Sequence, residues 1–225
     1  MRRRSVAAVI FDLDGTLVKS NIDFVKMKNM IIVHLRSLGV DSEDFSSSRP
    51  TFEIVQKGID ILEKKWSEEI VSKVRWHIDR IMTNVEMEEV DSVSALPGVS
   101  ETMKWLKEKG IKIGILTRSC REYALKSLEI AELSKLVDFV SARDDVDRPK
   151  PDPGQVIMLA QKMNVNREET LMVGDHPIDA LCAKNSNVRF IGVLTGSSKA
   201  DAFKKIGCDV IGSVNDLPRL LLRGL

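Results

Sequence analysis

The chain of 225 residues has few aromatic side chains and almost no net charge. Aromatic residues make up 5% of it, and 34 Lys and Arg residues against 33 Asp and Glu residues leave a formal charge of +1. Nucleic-acid-binding proteins usually present a basic face and stacking side chains, so this composition predicts no nucleic-acid partner. No apolar run has the length of a membrane span, so we expect no membrane partner either. The composition favours a small molecule as the partner.

Cysteine is also scarce. Cys120, Cys182 and Cys208 are odd in number and widely spaced, and they lack CxxC spacing or a neighbouring histidine. This pattern argues against a disulfide framework and against a zinc site, and it favours reduced thiols. The basic residues 2–4 precede an apolar run that meets Asp12 too early for a signal peptide. We therefore expect a cytoplasmic protein that is a monomer or a dimer.

The order of apolar patterns predicts the fold class. Strand patterns alternate with helical ones along most of the chain, which is typical of an α/β protein with right-handed crossovers. We expect a doubly wound, Rossmann-like parallel sheet of five or six strands. The predicted strands are 6–11, 111–116, 139–141, 170–173, 188–194 and 209–211.

A helical stretch interrupts this alternation. Three helical patterns lie between residues 20 and 94: the first ends at Gly39, the second covers 52–62 and the third begins at Ser67. An all-helical insertion in a strand-rich chain is most simply a separate domain. We therefore predict an α/β core of residues 1–19 and 95–225, and a helical cap of residues 20–94.

The first predicted strand ends in two acids. Residues 6–11 are apolar enough to be buried on both faces of a parallel sheet, and Asp12 and Asp14 follow at their carboxyl end. Open α/β sheets build their sites at this edge. Burying unpaired carboxylates is costly unless a cation or hydrogen-bond donors compensate. The pattern therefore predicts a divalent metal.

Other strand ends and helix starts carry polar residues as well. They form four motifs with the first strand: Asp12-Leu13-Asp14-Gly15-Thr16, then Leu116-Thr117, then Lys150 within Arg148-Pro149-Lys150-Pro151-Asp152-Pro153, and last Gly174-Asp175-His176-Pro177-Ile178-Asp179. In order, spacing and strand context, these motifs resemble the haloacid dehalogenase-like phosphohydrolase superfamily over nearly the whole chain.

The resemblance implies roles for the acids. Asp12 would attack phosphorus and become an aspartyl-phosphate. Asp14 would protonate the leaving alkoxide and then activate water. The Asp14 backbone carbonyl would join the carboxylates of Asp12 and Asp175 on Mg²⁺, which prefers hard oxygen ligands. Asp179 would support this set through water or by holding Lys150.

The resemblance also implies a phosphate site. The Thr117 hydroxyl would donate to the phosphate with help from the backbone N–H of Arg118, and the Lys150 ammonium would offset negative charge on the nucleophile and the phosphate. Each residue alone has an ordinary explanation. A loop Asp is usually a helix cap, Lys150 alone is a solvated charge, and His176 is a loop residue more readily than a third acid or base.

The branch of the superfamily depends on single positions. Asp14 argues against dehalogenases, in which no leaving alkoxide needs a proton. Sugar-phosphate mutases share both aspartates, the lysine and a helical cap, but their fourth motif generally carries an acidic pair, whereas here Gly174 precedes Asp175. This favours a phosphatase similar to the phosphoglycolate phosphatase and pyrophosphatase-like group. A non-catalytic regulator that binds phosphate is a further alternative.

The cap is the element that would close over the site and select the substrate, a small phosphorylated metabolite. Arg49, Lys57 and Gly58 lie on or near the loop that joins the first two cap helices. They are candidates for contacts to the distal group of that substrate. Ordinary surface and turn positions would explain the same residues.

Overall fold

The computed structural model describes residues 5–224, so the basic residues 2–4 lie outside it. Within the described chain there are two compact units. One runs up to Ser20 and resumes at Val90, and the other spans Asn21–Glu89. The sequence analysis placed the boundaries between the two units at residues 20 and 94. The role of the smaller unit as a cap stays a prediction.

The strands of the larger unit are short. Their bounds are β1 Ala8–Phe11, β2 Val18–Lys19, β3 Ser94–Ala95, β4 Lys112–Leu116, β5 Phe139–Ser141, β6 Thr170–Gly174, β7 Arg189–Val193 and β8 Asp209–Ile211. Within residues 5–224, six of these strands form one parallel sheet in the order β5-β4-β1-β6-β7-β8. The predicted doubly wound α/β sheet is therefore confirmed. The chain reverses its direction of travel across the sheet between β1 and β6, which is where such folds form a crevice.

Helices flank this sheet. Their bounds are α4 Val99–Glu108, α5 Arg121–Ile130, α6 Gly154–Lys162, α7 Pro177–Asn185, α8 Ala200–Lys204 and α9 Leu217–Arg223. Every residue of β1 is buried, as expected for the centre of a parallel sheet. Ala8 and Ile10 of β1 pack in one apolar cluster with Val156 and Leu159 of α6 and with Cys182 of α7. Helix α4 packs against β4 and α9 instead.

The sequence analysis missed two kinds of element. Helices α6 and α9 were not predicted, and neither was the two-stranded antiparallel ribbon in which Val18 pairs with Ala95 and Lys19 with Ser94. The ribbon strands have two residues each, which is too short for a period-two pattern to be recognised. They lie where the chain leaves the larger unit and where it returns.

Residues 21–89, all of them described, contain three helices: α1 Phe24–Ser37, α2 Thr51–Glu63 and α3 Glu68–Glu88. Each helix packs against the other two. Their buried faces are built from aliphatic side chains at helical spacing, such as Ile31 and Leu35 of α1, Ile59 of α2 and Ile78 of α3. Among the helices of residues 5–224, none combines the length and the apolar character that a membrane crossing needs.

Candidate active site

The site lies at the carboxyl edge of three neighbouring strands. Asp12 directly follows β1, Thr117 follows β4 and Asp175 follows β6. Strand β1 pairs with β4 on one side and with β6 on the other, so the sheet itself brings these three positions together. Backbone hydrogen bonds continue the ladder past the strand ends, since the Asp12 N–H donates to the Val173 carbonyl at 2.9 Å. The backbone of the site is therefore fixed by the sheet.

Lys150 lies between two carboxylates. Its Nζ donates to Oδ1 of Asp12 at 2.5 Å and to Oδ1 of Asp179 at 2.7 Å. Lys150 is only 2% exposed, so it is not the solvated charge that a lone lysine would be. Its backbone N–H donates to the side chain of Gln155 at 3.2 Å, and that amide also donates to Ser141 Oγ at 2.8 Å. Gln155, which the sequence analysis missed, therefore holds the lysine from the amino end of α6.

Asp179 has two functions at once. Its Oδ1 accepts from Lys150, and its Oδ2 accepts from the His176 backbone N–H at 3.1 Å, so it also caps α7. A Cβ at position 174 would lie too close to Asp179 Oδ2, so any side chain there would displace this carboxylate. His176 itself accepts a hydrogen bond at Nδ1 from the Ile178 N–H at 3.2 Å, which gives it a capping contact.

Asp175 is held by a loop that follows β7. Its Oδ2 accepts from the Ser197 N–H at 2.9 Å and from Ser197 Oγ at 3.3 Å. Gly15 and Gly196 pack against this carboxylate so closely that a Cβ on either would overlap it, and Gly15 also has a φ of +77°. The sequence analysis named Gly15 but missed Gly196 and Ser197. Both residues closely follow the predicted strand 188–194, and small or hydroxyl residues at such a strand end could have marked them as site candidates.

Three buried acids are placed to hold a metal. Asp12, Asp175 and Asp179 each offer a carboxylate oxygen, and these oxygens lie within 4.8 Å of one another. Three carboxylates around one ammonium leave excess negative charge, and hard oxygen donors suit Mg²⁺. The donor set therefore fits a divalent cation. The ligands that the resemblance implies, the carboxylates of Asp12 and Asp175 with the Asp14 backbone carbonyl, stay a prediction, and the Asp179 carboxylate lies in the same cluster.

The Asp14 side chain is bound elsewhere. Its Oδ2 accepts from Ser119 Oγ at 2.9 Å and its Oδ1 from Tyr123 Oη at 2.8 Å. Burial raises the pKa of Asp14, while the bonds from Tyr123, Ser20 and Ser119 oppose that rise. The two acids of the first motif are therefore separated: Asp12 belongs to the carboxylate cluster, and Asp14 is bonded by hydroxyl groups. The sequence analysis did not identify Ser119 or Tyr123.

The buried charges shift one another. Burial raises the pKa of Asp12 well above its usual value; Lys150 acts against this rise, and the negative charges of Asp179 and Asp175 add to it. Burial alone would lower the pKa of Lys150, but Asp12 and Asp179 outweigh it and hold that pKa above its usual range. Burial and Asp179 raise the pKa of Asp175 as well. All three pKa values are raised, as expected where one ammonium group faces several carboxylates.

Thr117 lies where a phosphate donor is expected. It is 1% exposed, and its Oγ1 accepts from the Ser119 N–H at 3.0 Å, which leaves its own hydroxyl hydrogen for another acceptor. Burial and the neighbouring Arg143 lower the pKa of the Arg118 side chain to about 10. Arg143 is 8% exposed and donates through Nη1 to the Arg118 carbonyl at 2.9 Å. Two guanidinium groups therefore adjoin this end of β4.

The cap candidates have partners within their own unit. Asp44 accepts from Arg49 at 3.2 Å and pairs with Lys57 at 3.3 Å, and both basic residues are exposed. Gly58 is buried, and a Cβ there would meet the Leu35 methyl groups at 2.6 and 2.8 Å. Close packing of α2 on α1 therefore accounts for the glycine. A substrate contact by these residues stays a prediction.

Comparisons with known proteins agree with the motifs. A family model described as haloacid dehalogenase-like hydrolase matches residues 9–193. The pyrophosphatase PpaX of Halalkalibacterium halodurans is 30% identical over 188 residues, which cover 82% of this chain and 81% of that protein. A phosphoglycolate phosphatase of Shigella dysenteriae is 26% identical over 238 residues, covering 94% and 91%. The crystal structure of a Bacteroides fragilis protein described as haloacid dehalogenase-like superposes with a TM-score of 0.72 at 22% identity, covering 95% of this chain and 100% of that one.

Proposed function

We propose that this chain, which belongs to the haloacid dehalogenase-like hydrolase family, is a Mg²⁺-dependent phosphatase that hydrolyses a small phosphate monoester through an aspartyl-phosphate. The observation that carries the proposal is the buried contact of Lys150 with Asp12 and Asp179, with Asp175 in the same carboxylate cluster. A packing role does not require four charged side chains at one strand edge. Phosphoryl transfer requires a nucleophile, a cation and anion donors, and each is supplied here.

In the first step Asp12 attacks the phosphorus atom. A bond forms between a carboxylate oxygen and phosphorus while the bond from phosphorus to the leaving oxygen breaks. The leaving oxygen takes the proton of the Asp14 carboxyl group and departs as an alcohol, which leaves Asp14 ionised. Thr117 donates to the transferring phosphoryl group, and Lys150 offsets its negative charge.

In the second step water releases the phosphate. The ionised Asp14 takes a proton from water as the water oxygen bonds to phosphorus, and the bond from phosphorus to Asp12 breaks. Inorganic phosphate leaves, and both carboxyl groups return to their starting states. Burial raises the pKa of this carboxyl group, and hydrogen bonds from Tyr123, Ser20 and Ser119 oppose that rise. A raised pKa suits a group that acts first as acid and then as base.

Asp12, Asp175 and Asp179 are the side chains that would hold the metal, with the Asp14 backbone carbonyl as the further ligand that the resemblance implies. When bound, Mg²⁺ supplies positive charge to the oxygens of the transferring phosphoryl group. Lys150 bridges Asp12 and Asp179, since its ammonium contacts both carboxylates.

The substrate that we propose is phosphoglycolate-like: small, and carrying a second anionic group. Support comes from the names of the relatives, which act on pyrophosphate and phosphoglycolate. It also comes from Arg118 and Arg143, whose guanidinium groups add positive charge beside Thr117. We place the reaction in the cytoplasm, in agreement with the free thiols of Cys120 and Cys182, and in a monomer or a dimer.

The mutase alternative has a structural argument against it. A mutase of this type would carry an acid at position 174, where the Asp179 carboxylate occupies the space of any side chain. A non-catalytic regulator would have no need to keep Asp12, Asp14, Thr117 and Lys150 together, so the phosphatase is the simpler proposal.

The test is phosphate release from pyrophosphate and from a panel of phosphate esters that begins with phosphoglycolate, in the presence of Mg²⁺ or of a chelator. We expect turnover that needs the metal and that falls by more than about 10³-fold in Asp12→Asn. Asp91→Asn is the matched control, because Asp91 is an exposed acid that pairs with Lys126. Failure of the wild-type protein to hydrolyse any of these substrates, or full activity of Asp12→Asn, would refute the proposal. Transfer between two hydroxyls of one sugar would show a mutase instead.

A further inference from the structure

We propose that Tyr123 and Ser119 are positioning residues that aim the Asp14 carboxyl group at the leaving oxygen. The inference rests on the proposed function, because it assigns to these two hydroxyl groups the support of the acid in that reaction. Neither residue touches the substrate in this proposal. Both act through Asp14.

Each oxygen of Asp14 has its own hydroxyl donor. Tyr123 Oη lies 2.8 Å from Oδ1, and Ser119 Oγ lies 2.9 Å from Oδ2. A single contact would leave the carboxyl plane free to rotate, whereas two contacts at opposite oxygens define both its position and its tilt. Asp14 stands outside the carboxylate cluster that would hold the metal. Its orientation therefore has to come from the protein. Tyr123 and Ser119 each hold one of its oxygens, and Ser20 is a further hydroxyl partner.

The donors are themselves rigid. Tyr123 is completely buried, and its backbone N–H donates to the Cys120 side chain at 3.4 Å, which caps α5. Ser119 is 6% exposed, and its backbone N–H donates to Thr117 Oγ1 at 3.0 Å. The segment between β4 and α5 thus carries the phosphate donor and both partners of the acid. A fixed segment of this kind sets the distance between the phosphate and Asp14.

Hydroxyl groups suit a residue that changes its charge. A backbone N–H can only donate, so it favours the carboxylate over the carboxylic acid. A Ser or Tyr hydroxyl donates to the carboxylate and can rotate to accept when the acid carries its proton. Asp14 can therefore keep one position through both steps of the reaction. Catalytic groups that are held in one geometry lose less rate to misorientation.

The test compares two substrates whose leaving groups differ in basicity. An alkyl phosphate such as phosphoglycolate needs a proton on its leaving oxygen, whereas 2,4-dinitrophenyl phosphate does not, because its leaving oxygen is weakly basic. The ratio kcat/KM reports the steps up to departure of that oxygen. We expect Tyr123→Phe and Ser119→Ala each to lower kcat/KM for the alkyl ester by about tenfold and to leave the dinitrophenyl ester within about twofold. The kcat for both esters should fall together where the water step, which also uses Asp14, limits turnover.

Tyr123→Phe keeps the buried ring, and its unfolding midpoint shows whether the fold is intact. Leu125→Ala, on the exposed side of the same helix, is the control for this measurement. An equal loss of kcat/KM on both esters in a folded variant would mean that Tyr123 only supports the structure, and the positioning proposal alone would fall. Unchanged kcat/KM on both esters would also overturn it. If the wild-type protein hydrolyses neither ester with Mg²⁺, the proposed function fails, and this inference fails with it.

Discussion

Lys150 and Asp179 form an ion pair in which both side chains are 1% exposed, with Nζ 2.7 Å from Oδ1. Two isolated charges would not remain at such depth, because removing them from water costs several kcal/mol per ion. The pair is tolerated because the same ammonium also contacts Asp12 and because Asp179 caps α7. The lysine is therefore part of a charge cluster whose balance depends on every member.

Removal of the ammonium should destabilise the protein and increase its response to metal. In Lys150→Met the carboxylates of Asp12 and Asp179 lose their shared cation, and breaking a buried pair of this kind costs about 3–5 kcal/mol. A divalent cation would restore part of that loss, so the rise in unfolding free energy on adding Mg²⁺ should be larger in the variant than in the wild type. Urea unfolding with Mg²⁺ or with a chelator measures both quantities.

Lys126→Met is the control for this experiment. Lys126 is an exposed lysine paired with Asp91, and a surface pair contributes about 0–1 kcal/mol. A response to Mg²⁺ that is no larger in Lys150→Met than in the wild type would show that the metal and the lysine do not share the same carboxylates.

Gly174→Ala should disturb Asp179 without adding a charge. The new methyl group would overlap the Asp179 carboxylate, so this carboxylate must move away from Lys150 or from the start of α7. We expect a loss of about 1–3 kcal/mol of stability from overpacking together with at least a tenfold lower kcat. Gly114→Ala in β4 is matched to it, because a Cβ there would meet a flexible Met163 methyl at 3.4 Å and should be tolerated. Equal effects of the two substitutions on kcat would contradict the assigned role of Asp179.

Asp12→Asn and Asp14→Asn should fail at different steps. Without Asp12 there is no nucleophile, so mass spectrometry of the denatured protein should find no added phosphoryl group. Asp14→Asn keeps the nucleophile and the metal cluster, and with a dinitrophenyl ester it should accumulate an aspartyl-phosphate because water is no longer deprotonated. Isothermal titration with Mg²⁺ should give similar affinities for Asp14→Asn and the wild type. A phosphorylated Asp12→Asn protein would refute this division of labour.

The sequence was sufficient for those parts of the site that follow from strand order. Asp12, Thr117 and Asp175 each stand directly after an apolar strand, and parallel neighbours must bring such positions to one edge. Lys150 could be named only through the resemblance, because nothing in its local sequence shows that Asp12 and Asp179 enclose it. The contact joins residues 138 positions apart.

The partners of the acids could not be predicted for the same reason. Tyr123 lies among the apolar positions of a helix, where an aromatic ring ordinarily means packing, and only its placement shows that its hydroxyl reaches Asp14. Ser197 holds Asp175 from a loop that has no sequence motif of its own. The place of the Asp179 carboxylate beside those of Asp12 and Asp175 likewise depends on side-chain directions that spacing does not specify.

The smaller unit offers a test in which a stability effect changes sign. Gly58→Ala gains up to about 1 kcal/mol of helix propensity but overpacks against Leu35, which costs about 1–3 kcal/mol. We therefore expect the substitution to destabilise the wild-type protein. In a Leu35→Ala background the obstructing methyl groups are gone, so the same substitution should stabilise, as urea unfolding would measure.

Kinetics in the same double-mutant cycle separate packing from substrate recognition. If Gly58 serves packing, Gly58→Ala should leave KM unchanged in the Leu35→Ala background, where its stability effect is favourable. If its backbone contacts the distal group of the substrate, KM should rise in both backgrounds whatever the stability does. Arg49→Ala and Lys57→Ala extend the comparison, because each removes an exposed cation paired with Asp44 and should change stability by no more than about 1 kcal/mol. A rise in KM for phosphoglycolate in these two variants, with stability unchanged, would assign substrate recognition to Arg49 and to Lys57 of α2. An unchanged KM in both, together with an unchanged KM in Gly58→Ala, would remove all three residues from the list of substrate contacts.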